Sequence, residues 1–73
     1  MPVIDVMATG RNIQQMRKKA GITVKDIQNA CGLTTGNAVY KWTNGICMPT
    51  IDNMVIIADM LQTTIDKIIV VQR

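Results

Sequence analysis

Hydrophobic residues recur every three or four positions along most of the chain, which is the spacing of helices that bury one face. In the first such segment, Ile13 and Met16 lie on one face of a helix predicted over residues 10–20. Thr9 is the predicted N-cap of this helix, and Gly21 ends it. The pattern therefore predicts an amphipathic helix ahead of the remaining predicted helices.

Two further helices are predicted in the middle of the chain. Thr23 caps the second, with Asp26 three positions later completing a capping box, and Gly32 ends it. Thr35 caps a third helix over residues 36–43, which ends at an Asn-Gly pair. A short turn joins these two helices.

The last third of the chain predicts two more helices, one over residues 51–61 capped by Thr50 and one that begins at Ile65. Nothing alternates with period two for long enough to require a strand, although the β-branched segments 3–6 and 68–71 are compatible with extended structure. We therefore predict an all-α fold of five short helices around one aliphatic core, in a single domain over residues 1–73.

The composition excludes most catalytic and metal chemistry. Of the 73 residues, 48% are hydrophobic and none is His, the commonest general base and metal ligand. Cys31 and Cys47 form no CxxC motif, so we expect two free thiols, one buried and one exposed, in a reducing cytoplasm. Trp42 and the six Met residues are expected in the core. We predict no metal, no cofactor and no enzymatic activity.

Positive charge is concentrated in the first two-thirds of the chain. The net charge is +3, with six Lys and Arg against two Asp in residues 1–48 and a slight acidic excess in residues 49–73. Residues 27–51 contain no acid. This distribution favours a polyanionic partner, because a carboxylate held close to phosphates would repel them. No signal-peptide pattern and no membrane-length apolar run is visible, which favours a cytoplasmic location.

Residues 23–43 have the pattern of a helix-turn-helix, in which a helix ends at glycine and a short turn leads into another short helix. In this arrangement the second helix lies in the major groove of DNA. Ile27 and Cys31 of the first helix are expected to face the second. Val39 and Trp42 are expected to meet them, which leaves the other side of the second helix polar and free of acids.

Four sequence elements carry a resemblance to a known family. They are IQQMR at residues 13–17, AGIT at 20–23, YKWTNG at 40–45 and MPTIDNMVIIADML at 48–61. With the Cys-Gly bend, these elements resemble the lambda-repressor-like family of DNA-binding domains, the small Cro-like and xenobiotic-response-element regulators. The resemblance covers most of the chain. It implies a five-helix all-α fold, sequence-specific binding of operator DNA, and usually dimeric repression of transcription.

The sequence departs from the family pattern at three places. The stretch from Gly32 to Val39 is one residue longer, so the turn or the start of the recognition helix must differ. Thr43 stands where many members have an acid that pairs with the arginine matching Arg17. Arg17 is therefore expected either to turn outward to phosphate or to bond to Thr43 and backbone carbonyls. Val24 replaces a glutamine that often touches DNA in the family.

The helix-turn-helix pattern assigns two sets of DNA contacts. The base-contacting set is Asn37, Lys41 and Gly36, although Lys41 alternatively reaches phosphate and the Gly36 N–H also suits a phosphate. The predicted phosphate contacts are Thr34, Thr35, Tyr40, Asn44, Arg11, Lys18, Lys19 and Lys25. The alternative for each of these polar residues is an ordinary solvated or helix-capping role.

The hydrophobic pattern of the fourth predicted helix suggests that this helix contacts a partner in addition to the core. The helical wheel assigns the following residues to the core side: Ile51, Met54, Val55, Ala58 and Leu61. Ile56 and Met60 then fall on the polar side, where large apolar residues suggest a partner. The candidates are the tail over residues 68–73 of the same chain or a second subunit. The predicted dimer residues are Ile56, Met60, Ile69 and Val71.

The sequence as a whole predicts a DNA-binding transcriptional regulator, a repressor that acts as a homodimer on DNA and reads the major groove with residues 36–43. The alternative is a protein–protein interaction module on the same fold, such as an antirepressor or an antitoxin-like partner. The apolar tail favours the alternative, whereas the acid-free recognition segment speaks against it. No small-molecule ligand and no membrane partner is predicted.

Overall fold

The computed structural model describes residues 2–72. Five helices surround an aliphatic core and a two-stranded ribbon joins the chain ends. The elements are β1 Val3–Ile4, α1 Val6–Ala20, α2 Val24–Ala30, α3 Asn37–Thr43, α4 Ile51–Met60, α5 Ile65–Ile68 and β2 Val71–Gln72. The prediction of five helices is confirmed, and the ribbon is added to it. Residue 73, the end of the predicted tail, lies outside the described residues.

The start of α1 differs from the prediction. Asp5 is the N-cap, and its side chain accepts a hydrogen bond from the backbone N–H of Ala8 at 3.0 Å. Thr9, the predicted cap, lies inside the helix with its side chain fully buried. An aspartate caps a helix as well as a threonine does, and the hydroxyl of Thr9 is occupied by the C-terminal tail instead. The predicted end holds, since Gly21 has a φ of 73°.

The capping predictions for the later helices are largely confirmed. Thr23 and Asp26 form the capping box of α2, with hydrogen bonds of 3.0 Å and 2.9 Å in the two directions. Thr50 accepts a hydrogen bond from Asn53 at the start of α4. The recognition helix α3 begins one residue later than predicted, because Gly36 occupies the N-cap position. Thr35 still accepts a hydrogen bond from the first helical N–H.

The core is aliphatic, as predicted, with one aromatic side chain. Its buried hydrophobic residues are Ile13, Ile27, Val39, Trp42, Met54, Ile57, Ala58 and Ile68. Trp42 is 5% exposed, which confirms its predicted place in the core. The prediction that the Met residues fill the core is wrong for Met7, which is 59% exposed. Cys31 is half-buried and Cys47 exposed, both as free thiols.

The buried face of α4 is rotated relative to the prediction. Met54, Ile57 and Ala58 face the core, whereas Ile51 and Val55 are 72% and 53% exposed. Ile56 and Met60, which the helical wheel assigns to the polar side, are both half-buried, and Met60 packs against the core. The physical reason is that Met54, Ile57 and Ala58 form the core side of α4, and Met60, three positions after Ile57, lies beside that side. α5 contacts α4 and contributes Ile68 to the same core.

The chain ends are joined on the surface of α1. β1 pairs antiparallel with β2, with Val3 opposite Gln72 and Ile4 opposite Val71. The extended structure considered for segments 3–6 and 68–71 is thus confined to the outer residues, since Val6 and Ile68 are helical. Across residues 2–72 the longest helix is too short and too polar to cross a lipid bilayer.

Candidate nucleic-acid interface

The position of α3 is set on one side by a close backbone contact with α1. A Cβ at Gly10 would overlap the carbonyl oxygen of Trp42 and stand 3.1 Å from that of Thr43. A Cβ at Gly45 would in turn stand 2.7 Å from the Cα of Met7. Glycine at both positions therefore lets the C-terminal end of α3 lie directly against the first turns of α1.

On its other side α3 is supported by α2 and the turn between them. Ile27 of α2 and Val39 of α3 are both essentially inaccessible to solvent and belong to one core cluster. The N–H of Leu33 donates to the carbonyl of Gln28 at 2.9 Å, which closes the end of α2. After this turn, α3 begins at Asn37, with Gly36 at its N-cap. The recognition helix is therefore held between two helices.

The exposed face of α3 consists of three residues. Asn37, Tyr40 and Lys41 are exposed, whereas Val39 and Trp42 are 0% and 5% exposed. At 100° per residue, Asn37 lies between the other two on the helix surface. The face thus offers an amide, a phenol and an ammonium group, which suit hydrogen bonding to base edges and phosphates.

The other residues predicted near α3 have different environments. Thr34 and Thr35 are exposed in the turn, and Asn44 is exposed at the C-cap of α3. Gly36 is half-buried rather than free, since Val24 and Tyr40 each lie 3.4 Å from the position of a hypothetical Cβ. Val24 and Tyr40 therefore restrict the access of a DNA base to Gly36, for which a base contact was predicted.

The four predicted phosphate-binding cations are all exposed, but they do not share one side. Lys25 is the second residue of α2, close to the start of the helix-turn-helix. Arg11 and Lys18 lie seven residues apart on α1 and therefore on one face, about 90° from the side that contacts α3. Lys19 lies on the opposite side of α1 from Gly10 and borders a shallow depression formed with Met16, Ala20 and Leu61.

The side chain of Arg17 joins α1 to the segment before α2. Its Nη1 donates to the carbonyl of Ile22 at 3.0 Å, and its Nε and Nη2 donate to Oε1 of Gln14 at 3.2 and 3.0 Å. The hydroxyl of Thr43 donates to the carbonyl of Tyr40 instead. The sequence left open whether Arg17 turns outward to phosphate or bonds to Thr43 and backbone carbonyls. The structure shows a bond to a backbone carbonyl, and Thr43 is not a partner of Arg17.

Hydrogen bonding and burial determine the titration of two groups near the interface. The backbone N–H and hydroxyl of Thr23 hold the pKa of Asp26 below its ordinary value of 3.8. Burial raises the pKa of the Cys31 thiol above 9.0, so this sulfur stays protonated at neutral pH. Across residues 2–72, no group of three His, Cys, Asp or Glu residues is placed to hold a metal ion.

The sequence analysis missed two residues of this region, Val24 and Gln28. They lie four positions apart on α2 and so share the face that meets Gly36. Oε1 of Gln28 is 3.6 Å from the position of a Cβ on Gly36, and its Nε2 lies 3.5 Å from the carbonyl of Leu33. The available signal was the i, i+4 spacing of these residues combined with a small residue opposite them.

Comparisons with known proteins agree with this architecture. The sequence matches the family model described as Helix-turn-helix over residues 13–68. No curated protein matches it significantly. The fold is similar to that of the restriction-modification controller protein C.AhdI from Aeromonas hydrophila, with a TM-score of 0.76, 17% identity, and coverage of 88% of this chain and 96% of that chain.

A second solved structure has the same fold. The clp gene regulator ClgR from C. glutamicum gives a TM-score of 0.72 and 13% identity, with 85% of this chain and 79% of that chain covered. At such identities the likeness is one of fold alone. The family match, however, spans most of the residues and includes the whole helix-turn-helix. The chain therefore belongs to the XRE-type helix-turn-helix family of DNA-binding regulators.

Proposed function

We propose that this protein is a sequence-specific transcriptional repressor that binds duplex DNA with α3 in the major groove. The observation that carries the proposal is the exposed face of α3, where Asn37, Tyr40 and Lys41 project from a helix fixed by α1 and α2. A rigid support is needed, because base contacts tolerate little displacement. Family membership supports the DNA-binding role, and the resemblance to Cro-like regulators supports repression.

In this proposal affinity and selectivity come from different residues. Arg11, Lys18 and Lys25 neutralise phosphates, since each is exposed. Asn37, at the start of α3, donates to and accepts from the edge of an adenine. Lys41 contacts a guanine edge or a phosphate beside it. A cytoplasmic protein with this arrangement represses by occupying its operator.

We further propose that the protein binds its operator as a homodimer. A seven-residue recognition helix contacts few base pairs, and a two-fold pair doubles the contacts. On α4, the apolar residues available to a second copy are Ile51 and Val55, which lie four positions apart on its exposed side. They replace the predicted Ile56, Met60 and Ile69, whose side chains are half-buried. Val71, 42% exposed, remains a candidate.

Selection of bound duplexes from a random pool, followed by fluorescence anisotropy on the selected site, tests the proposal. We expect a palindromic site, and an affinity that falls steeply as salt rises. The matched control is the variant Lys41→Asp, which places a carboxylate on the recognition face and should abolish binding. An absence of binding to any duplex at low salt would exclude DNA binding and favour the interaction module instead. A selected site without two-fold symmetry would exclude the homodimer.

A further inference from the structure

The starts of α2 and α3 meet at Gly36 and form a small apolar surface. A Cβ at Gly36 would stand 3.4 Å from Cγ1 of Val24 and 3.4 Å from Cε2 of Tyr40, so the three residues are immediate neighbours. Val24 is half-buried and the Tyr40 ring is 55% exposed. We call Val24, Gly36 and Tyr40 the apolar corner.

The apolar corner is continuous with the polar part of the recognition face. On α3, Tyr40 lies about 60° from Asn37 on one side, and Lys41 lies about 40° from it on the other. The face therefore has two parts, a polar one formed by Asn37 and Lys41 and an apolar one formed by the corner. In the binding mode proposed above, Asn37 contacts a base pair in the major groove, and the corner beside it on α3 then faces an adjacent base pair.

The chemical groups that each base exposes in the major groove determine which base can bind favourably against the apolar corner. Thymine is the only one of the four bases that presents a methyl group there, whereas adenine, guanine and cytosine are distinguished by their hydrogen-bond donors and acceptors. A hydrogen-bonding edge covered by Val24 and the Tyr40 ring would lose its water without gaining a partner, which is unfavourable. A methyl group in the same place gains from leaving water.

The geometry points to a specific role, which rests on the proposed function: the apolar corner reads the 5-methyl group of a thymine next to the base pair contacted by Asn37. Val24 supplies a branched methyl surface from α2, and Tyr40 supplies the edge of its ring from α3. Gly36 makes room for both, because it places no side chain between them. Val24 and Tyr40 are thus specificity-determining residues.

Replacement of single thymines by deoxyuridine tests this role, since uracil differs from thymine only by the lost methyl group. Each thymine of the selected site is replaced in turn, and affinity is measured by fluorescence anisotropy. We expect one position in each half-site at which uracil weakens binding by about fourfold, the factor that corresponds to burial of one methyl group. The remaining positions should be insensitive.

Four variants assign the effect to the corner. Val24→Ala and Tyr40→Ala should each reduce the thymine-to-uracil ratio at that position below about twofold, because the methyl loses its apolar contact. Tyr40→Phe keeps the ring and should keep the ratio. Val3→Ala, at an exposed valine of β1, is the matched control and should also keep it. Tyr40 is largely exposed, so its variants remain folded even if Val24→Ala is destabilised.

The outcomes separate this inference from the proposed function. Tight duplex binding that no uracil replacement weakens would overturn the reading of thymine and leave the DNA-binding role intact. A uracil effect that persists in both Val24→Ala and Tyr40→Ala would also overturn it, as would a selected site without thymine. Failure to bind any duplex would overturn the proposed function itself, and the inference with it.

Discussion

The hydroxyl of Thr9 accepts a hydrogen bond from the backbone N–H of Val70 at 3.0 Å, and the Thr9 side chain is completely buried. Two further bonds connect the same parts of the chain. The N–H of Asp5 donates to the carbonyl of Val70 at 2.8 Å, and Nδ2 of Asn12 donates to that of Ile68 at 3.0 Å. Two polar side chains of α1, those of Thr9 and Asn12, thus anchor the C-terminal segment to the helix that supports α3.

The variant Thr9→Val should destabilise the protein by about 1–3 kcal/mol, because it keeps the shape of the side chain but leaves the N–H of Val70 without its acceptor. Urea denaturation measures this loss. Hydrogen exchange at the Val70 amide should accelerate in parallel. Thr34→Val, at an exposed threonine of the turn, is the control and should change stability by less than about 0.5 kcal/mol. Equal stability of Thr9→Val and wild type would contradict the anchoring role.

The variant Gly10→Ala has two opposite effects on the stability of the protein. Alanine is favoured over glycine in a helix by about 1 kcal/mol. At this position, however, the new methyl would overlap the carbonyl oxygen of Trp42, a backbone atom that moves only with the end of α3. We expect the overlap to prevail, with a net loss of about 2 kcal/mol on thermal or urea unfolding.

Gly36→Ala is the control for that experiment. A methyl there meets Val24 and Tyr40 at 3.4 Å, an ordinary contact distance, so the cost should stay below about 1 kcal/mol. Stabilisation by Gly10→Ala would mean that the backbones of α1 and α3 are farther apart than the structure has them.

The capping box of α2 predicts a pH-dependent stability. The folded-state pKa of Asp26 is lowered below 3.8 by its hydrogen bonds to Thr23, so the carboxylate stabilises the fold at any pH above that value. This contribution is lost as the pH falls through the lowered pKa. Asp26→Asn should therefore be less stable than wild type at pH 7, and the difference should vanish in strong acid.

Thermal unfolding across a pH series measures this effect. The background Thr23→Ala removes the hydroxyl but keeps the backbone N–H that donates to the carboxylate, so Asp26→Asn should still destabilise the protein at pH 7, by a smaller amount. A constant difference between Asp26→Asn and wild type at every pH would refute the assignment.

Local rules accounted for most of the helices, and non-local packing accounted for the errors. The capping box at Thr23 and Asp26 needs only neighbouring residues, so its prediction was confirmed. The start of α1 was missed because Thr9 bonds to Val70, sixty-one residues away, and no local pattern reports such a partner. The buried face of α4 was rotated for the same reason, since Ile57 packs in a core cluster built from several helices while Ile51 is left exposed.

At the candidate site, too, local features were predicted and features that depend on non-local packing were not. The exposure of Asn37 and Lys41 follows from helical periodicity once Val39 and Trp42 are assigned to the core. The contact of Val24 with Gly36 was not predicted, because it depends on how α2 crosses α3. Periodicity within one helix is visible in a sequence, whereas the crossing of two helices is not.

The two lysines at the end of α1 provide a paired test of which side of α1 faces the DNA. Lys18 lies on the same face of α1 as Arg11, whereas Lys19 lies opposite the side that contacts α3. Lys18→Ala should weaken binding to all duplexes alike and reduce the magnitude of the salt slope by about 0.9. Lys19→Ala should leave the slope unchanged. Anisotropy titrations at several salt concentrations make the comparison, and equal slopes for the two variants would contradict this orientation.

Asn37→Ala tests the centre of the recognition face. We expect a loss of about 1–3 kcal/mol on the preferred site and relaxed selectivity at a single base pair, because an amide contacts both hydrogen-bonding groups of an adenine edge. Binding to random duplex should be little changed, since phosphate contacts supply that affinity. The matched control is Asn29→Ala, at an exposed asparagine of α2, which should alter neither quantity. If Asn37→Ala left both affinity and selectivity intact, α3 would not be the helix that reads the bases.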